Sequence, residues 1–143
     1  MRETIMAVVG IVGGGIAAAL GGWDAALQTL VSFMIIDYVT GLIVAGIFKK
    51  SKKSESGALD SRSGFKGIIK KCMMLLMVIM GYQLDGIIGW DFIRYAVIIA
   101  FLVNELISVV ENAGLMGVPV PDVLKQAIGI LKKKGDKGND EHK

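Results

Sequence analysis

Apolar positions fall into four long runs, residues 5–20, 25–48, 67–88 and 92–110, with short polar interruptions and one long one. Each run is apolar on every side rather than along a single stripe, the pattern of a helix surrounded by lipid or by protein. A helix needs about 20 residues to cross the hydrocarbon core, and about 17 at the least. The second, third and fourth runs are long enough; the first, with 16 residues, is short. The pattern predicts an all-α integral membrane protein: four transmembrane helices, arranged as two helical hairpins, in a domain spanning residues 1–113. Gly114, Gly117, Pro119 and Pro121 interrupt the helical pattern after the fourth run. Beyond them Val123, Leu124, Ala127, Ile128 and Leu131 share one face, with Lys125, Gln126, Lys132 and Lys133 largely off it. This predicts a short C-terminal amphipathic helix in a cytoplasmic segment, 114–143. The helix either lies on the inner leaflet with its lysines among anionic head groups or docks on the protein's own loops. Residues 135–143 are expected to be disordered.

The first run has two competing explanations. Arg2 and the small residues Ala17, Ala18 and Ala19 would suit a cleaved signal peptide, although Glu3 does not. A re-entrant or surface-lying segment is the other.

Charge orients the chain. Residues 49–71 hold seven lysines and Arg62 against Glu55 and Asp60, a net charge of +6. The lysines are Lys49, Lys50, Lys52, Lys53, Lys66, Lys70 and Lys71. Because they flank membrane segments, they predict a cytoplasmic loop (49–66) by the positive-inside rule, not a nucleic-acid surface. Both termini then lie in the cytoplasm, and Trp23 and Trp90 fall in the two outer turns, where interfacial aromatic anchors belong. Gly22-Trp23-Asp24 recurs as Gly89-Trp90-Asp91, and 13 residues after each aspartate comes a polar residue, Asp37 or Asn104. That spacing suggests two related hairpins.

Polar residues inside the runs are the candidates for function. An acid at the centre of a membrane helix costs about 2.5–3.5 kcal/mol, so Asp37 and Glu105 should face protein or water. Acids at that depth are expected to rest protonated and to ionise as a lesion opens. Asn104, Ser108, Glu111 and Asn112 follow i, i+4, i+7, i+8 spacing and form a polar stripe with Glu105 at its edge. Such a stripe lines water when several copies meet, or bonds to neighbouring helices in a closed bundle at about 0.6 kcal/mol per contact. Gly10 and Gly14, with a second row through Gly13 and Ala17, form small-residue surfaces on which helices approach closely.

Enzyme chemistry finds no support. His142 is the only histidine, Cys72 the only cysteine, and no phosphate-binding loop or nucleophile–base pair is present. No metal or other cofactor is expected, and a single cysteine rules out an intrachain disulfide.

Three stretches together carry a family resemblance. They are Asp37-Tyr38-Val39-Thr40-Gly41; Ser63-Gly64-Phe65-Lys66-Gly67 followed by Lys70-Lys71; and Asn104-Glu105-Leu106-Ile107-Ser108-Val109-Val110-Glu111-Asn112 followed by Gly117-Val118-Pro119-Val120-Pro121. From about Phe33 to Lys133 the chain resembles the phage holin family of Gram-positive bacteria and their phages, which includes the toxin-secretion holins of clostridia. The resemblance implies a protein of the host's bacterial cytoplasmic (inner) membrane that gathers into homo-oligomers and opens lesions at a set time. An endolysin or a toxin then passes through. It points to Asp37, Tyr38, Gly41, Gly67, Lys71, Asn104, Glu105, Glu111 and Asn112 as the family's motif positions. The partners it implies are the lipid bilayer, further copies of the chain and an antiholin, with functional coupling to an endolysin or secreted toxin. The alternatives are an antiholin or regulatory membrane subunit, and a small ion channel or transporter. Met1 and Met6 flank Arg2, so a start at Met6 would give a product lacking that charge.

Overall fold

A computed structural model describes residues 1–140, with side chains described as far as residue 137. Every regular element among the described residues is a helix: α1 (Arg2–Ala19), α2 (Ala25–Ile43) continued by a π-helical turn (Val44–Phe48), α3 (Ser61–Ile88), α4 (Ile93–Leu115) and α5 (Asp122–Asp140). The first four, counting α2 with its π turn, are long and apolar enough to cross a membrane. The protein is thus a multi-pass membrane protein.

Local chemistry sets the boundaries. Asp24 stands at the N-cap of α2 and accepts from the Leu27 N–H at 3.0 Å. Asp60 does the same for α3, accepting from the Arg62 N–H at 3.1 Å and from the Ser63 hydroxyl at 2.9 Å. Helix α3 ends on Gly89 in the left-handed conformation, its N–H returning to the Asp85 carbonyl. Helix α4 stops two residues before Gly117, and Pro119 and Pro121 keep it from resuming.

Two boundaries differ from the sequence expectation. Helix α3 begins at Ser61, so the basic loop is shorter than 49–66 and Lys66 already lies on a helix. Its cap, Asp60, is polar and lay outside the apolar run. Helix α5 continues through Gly135 to Asp140, where disorder was expected. Lysine is a good helix former, and Lys132, Lys133, Lys134 and Lys137 carry the helix past two glycines. The remainder of that expectation, 141–143 with His142, lies outside the described residues.

Helix α4 is central. It packs chiefly on α2, then on α3 and α5. Leu27, Leu30 and Met34 of α2, Val78 of α3, and Ile98, Ile99 and Leu102 of α4 form the buried core with Leu20. Gly81 allows α3 and α4 to approach closely; a Cβ there would lie 3.1 Å from the Arg94 Cα. Helix α1 contributes no buried residue. The α1–α2 and α3–α4 connections share one end, here called the turn end, and the 49–60 loop marks the other, the loop end.

Helix α5 folds back along α4. Leu131, Lys132, Gly135 and Asp136 stand level with Phe92–Val103, the half of α4 nearer the turn end, and enclose with it a cavity of about 660 Å³. Ile128, Leu131 and Gly135 are its half-buried contact positions, whereas Val123 and Leu124 are exposed. The predicted apolar stripe is thus engaged in part by α4, while its first residues stay exposed.

Candidate functional site

Three helices bring their polar residues to one buried cluster. Asp37 of α2 is 3% exposed and Glu105 of α4 is 2% exposed. The Lys71 ammonium of α3 lies between them, 2.7 Å from Asp37 Oδ2 and 2.7 Å from Glu105 Oε2. The Asn112 amide, two turns further along α4, donates to Asp37 Oδ1 at 3.1 Å, to the Asp37 carbonyl at 3.3 Å and to Thr40 Oγ1 at 2.9 Å. Thr40 in turn donates back to the Ile36 and Asp37 carbonyls. Gly41 lies beneath this amide: a Cβ added there would lie 3.9 Å from Asn112 Nδ2. Beside the cluster, the Tyr38 hydroxyl donates to the Gly64 carbonyl of α3 at 3.4 Å.

Pairing decides the energetics. A carboxylate alone in a membrane interior is costly, and a cation in contact offsets that cost only where geometry is tight and further hydrogen bonds are made. A single cation, Lys71, is shared by the two acids at 2.7 Å each, so the cluster holds two carboxyl groups against one ammonium. A cavity of about 460 Å³ leads from this cluster towards the 49–60 loop, between Tyr38, Ser63, Lys70, Met74 and Asn104. The cluster therefore borders a cavity that the 49–60 loop itself helps to line.

The polar stripe foreseen on α4 divides. Glu105 and Asn112 turn into the bundle, whereas Asn104 and Glu111 are exposed and Ser108 is half-buried. The hundred-degree step between Asn104 and Glu105 separates them. In the first helix, a Cβ at Gly10, Gly13 or Gly14 would meet nothing within 4 Å, and Ala17 is half-buried. Trp23 and Trp90 are exposed at the turn end. Lys49, Lys50, Lys52, Lys53, Lys66 and Lys70 are exposed at the loop end, while Lys71 belongs to the cluster.

A second polar assembly holds the turn end. Arg94, in the first turn of α4, donates to the Leu20 carbonyl, to the Gly22 carbonyl at 3.0 Å, and to Asp24 Oδ2 at 2.7 Å and Oδ1 at 3.2 Å. The Arg94 guanidinium holds the Asp24 carboxyl below the ordinary aspartate range. Gly21, with φ of +89°, accommodates the arginine, for a Cβ would collide with its side chain. The buried Asp85 carboxylate accepts from the Ile93 and Arg94 N–H groups at 2.9 and 3.0 Å. Asp85, and not Asp91, thus satisfies the start of α4. The two Gly-Trp-Asp turns are therefore built differently, and their distant counterparts differ too, Asp37 being buried and Asn104 exposed. The only signal for Arg94 was an arginine inside the first turn of an apolar run.

Fold and cluster define a multi-pass helical membrane protein whose polar interior is concentrated in a few inter-helix contacts. The chain belongs to the bacteriophage holin family, whose model it matches over residues 14–133. An uncharacterized protein of Halalkalibacterium halodurans is 42% identical over 118 residues, covering 78% of this chain and 82% of the relative. One of Listeria monocytogenes is 40% identical over 123 residues, covering 85% and 82%. The "probable holin" of Bacillus phage phi105 is 29% identical over 111 residues, covering 77% and 76%. No solved structure matches the chain.

Proposed function

We propose that this protein is a holin: it accumulates in the bacterial cytoplasmic membrane, gathers into oligomers and opens lesions that let an endolysin or a toxin reach the cell wall. Family membership supports a holin role and a non-enzymatic membrane protein. The observation that carries the oligomeric reading is on α4. Asn104 and Glu111 are exposed and Ser108 half-exposed, at i, i+7 and i+4, on a helix long and apolar enough to cross a membrane. Asn104 and Ser108 border the cavity by the 49–60 loop and Glu111 faces outwards; polar groups that meet lipid are costly, and a second copy or a water-filled lumen removes that cost. The buried cluster then acts as a fixed brace inside each copy, and the exposed stripe as the surface that changes surroundings on assembly. In this reading the 49–60 loop faces the cytoplasm and the turn end faces outwards.

Induced expression in a bacterial host tests the proposal. A holin stops growth abruptly, collapses the membrane potential and releases a co-expressed cytoplasmic endolysin. Expression to comparable levels without those effects, or with a delay of another holin's onset, would instead identify an antiholin or regulatory subunit. A selective loss of one ion without endolysin release would identify a small channel or transporter.

A further inference from the structure

We propose that α5 lines the water-filled lumen of the assembled lesion, lying along α4 with its lysine face towards the ions that pass. The inference rests on the holin reading and adds to it the identity of the wall.

Depth gives the first argument. The second half of α5 lies level with Phe92–Val103, inside a segment that crosses the membrane. Lys132, Lys133, Lys134 and Lys137 are exposed there, with Asp136 as the only acid among them. A group of ammonium ions at that level requires water on its open side. By contrast α1 and α3 expose Ile11, Ile16, Ile69, Leu76 and Met80, which suit lipid. The face of the bundle that carries α5 is therefore the wet one.

The cavity between α4 and α5 gives the second. Ala96 and Ala100 stand four apart on one face of α4. Ala96 and Ala100 lie beneath α5, with Lys132 and Asp136 across the cavity from them. Asn104 and Ser108, further round the helix, line the other cavity with α2, α3 and the 49–60 loop. Near the turn end the charge beside α4 therefore comes from the lysines of α5. The space between the two helices has walls of both kinds, apolar Val97 and Val103 facing charged Lys132 and Asp136.

The test reads ion selectivity. The purified full chain is placed in planar bilayers at about 10 mM potassium chloride, where a wall charge acts over about 30 Å. The wild-type lesion is expected to pass chloride in preference to potassium. Replacing Lys132, Lys133, Lys134 and Lys137 by glutamate should carry the permeability ratio through unity to a preference for potassium. The same exchange at Lys49, Lys50, Lys52 and Lys53 should leave the sign unchanged. A ratio that ignores the α5 charges, or follows the loop charges instead, overturns the inference. Should the glutamate variant form no lesions, Lys133→Cys in a Cys72→Ser background is treated, once open, with a negatively charged methanethiosulfonate. A fall in chloride preference supports the lining role, and an unchanged ratio overturns it. A wild-type chain that never conducts defeats the holin reading itself, an outcome distinct from conduction that is blind to α5.

Discussion

Lys71 and Glu105 come from α3 and α4 and meet at 2.7 Å within the bundle, where the same ammonium also holds Asp37 at 2.7 Å. One cation thereby joins three helices. Removing it should be far worse than removing the whole cluster, because a lone buried carboxylate is costly whereas neutral residues of similar shape are not. Lys71→Met is expected to destabilise the folded protein in detergent by about 3–5 kcal/mol. Adding Asp37→Asn and Glu105→Gln to it should recover most of that loss. Equilibrium unfolding of the single and triple variants in mixed micelles checks this; equal losses in both would count against the cluster's cohesion.

Asn112 reaches Asp37 and Thr40 on α2 with one amide group. Asn112→Ala should cost about 1–2 kcal/mol, in the upper range for hydrogen bonds between membrane helices. Gly41→Ala should be nearly neutral, since its Cβ would make only ordinary contact with that amide at 3.9 Å. Gly41→Leu should push the amide away and reproduce the Asn112→Ala loss. Unfolding measurements on the three variants would show whether the losses of Asn112→Ala and Gly41→Leu fail to add, as a shared contact requires.

Acid should loosen the turn end. The folded-state pKa of Asp24 is lowered, chiefly by the hydrogen bond from Arg94. Its contribution is therefore present above the ordinary aspartate value of about 3.9, and is lost as pH falls through the lowered value. The Asp24 side chain is half exposed, so the effect should stay below about 1 kcal/mol. Asp24→Asn retains a good helix cap and should abolish this part of the acid-side loss. Stability curves for both proteins between neutral pH and pH of about 3 provide the check.

Arg94 fixes the elbow between α1 and α2 through two carbonyls and a carboxylate. Arg94→Gln should increase proteolysis and hydrogen exchange at residues 20–24 while leaving the α2–α4 core protected. Gly21→Ala should act alike, because a Cβ there collides with the arginine and the backbone is left-handed. Exchange mass spectrometry separates this local opening from a general loss of fold.

Length and hydropathy sufficed to place the spans, since a helix in lipid must be apolar all round. Asp37 and Glu105 stood out for the same reason. Lys71 did not. Its neighbours in sequence are basic, so counting charges puts it with the loop, and only the approach of α2 and α4 to α3 shows it to be a partner of the two acids. Asp91 drew attention through its likeness to Asp24, yet Asp85, hidden at the end of an apolar run, reaches forward to the start of α4. The path of α5 was also beyond reach, because an amphipathic stripe specifies that a face is covered without specifying by what.

The elbow at Leu20 carries a consequence for how this chain can vary. Helix α1 places no side chain in the core, and the family match begins only at residue 14. Adaptation to a thicker or thinner bilayer is therefore open to the first helix independently: lengthening or trimming it turn by turn leaves the packing of the other spans untouched. That makes the N-terminal segment the natural place to graft a tag or exchange a sequence without rebuilding the rest.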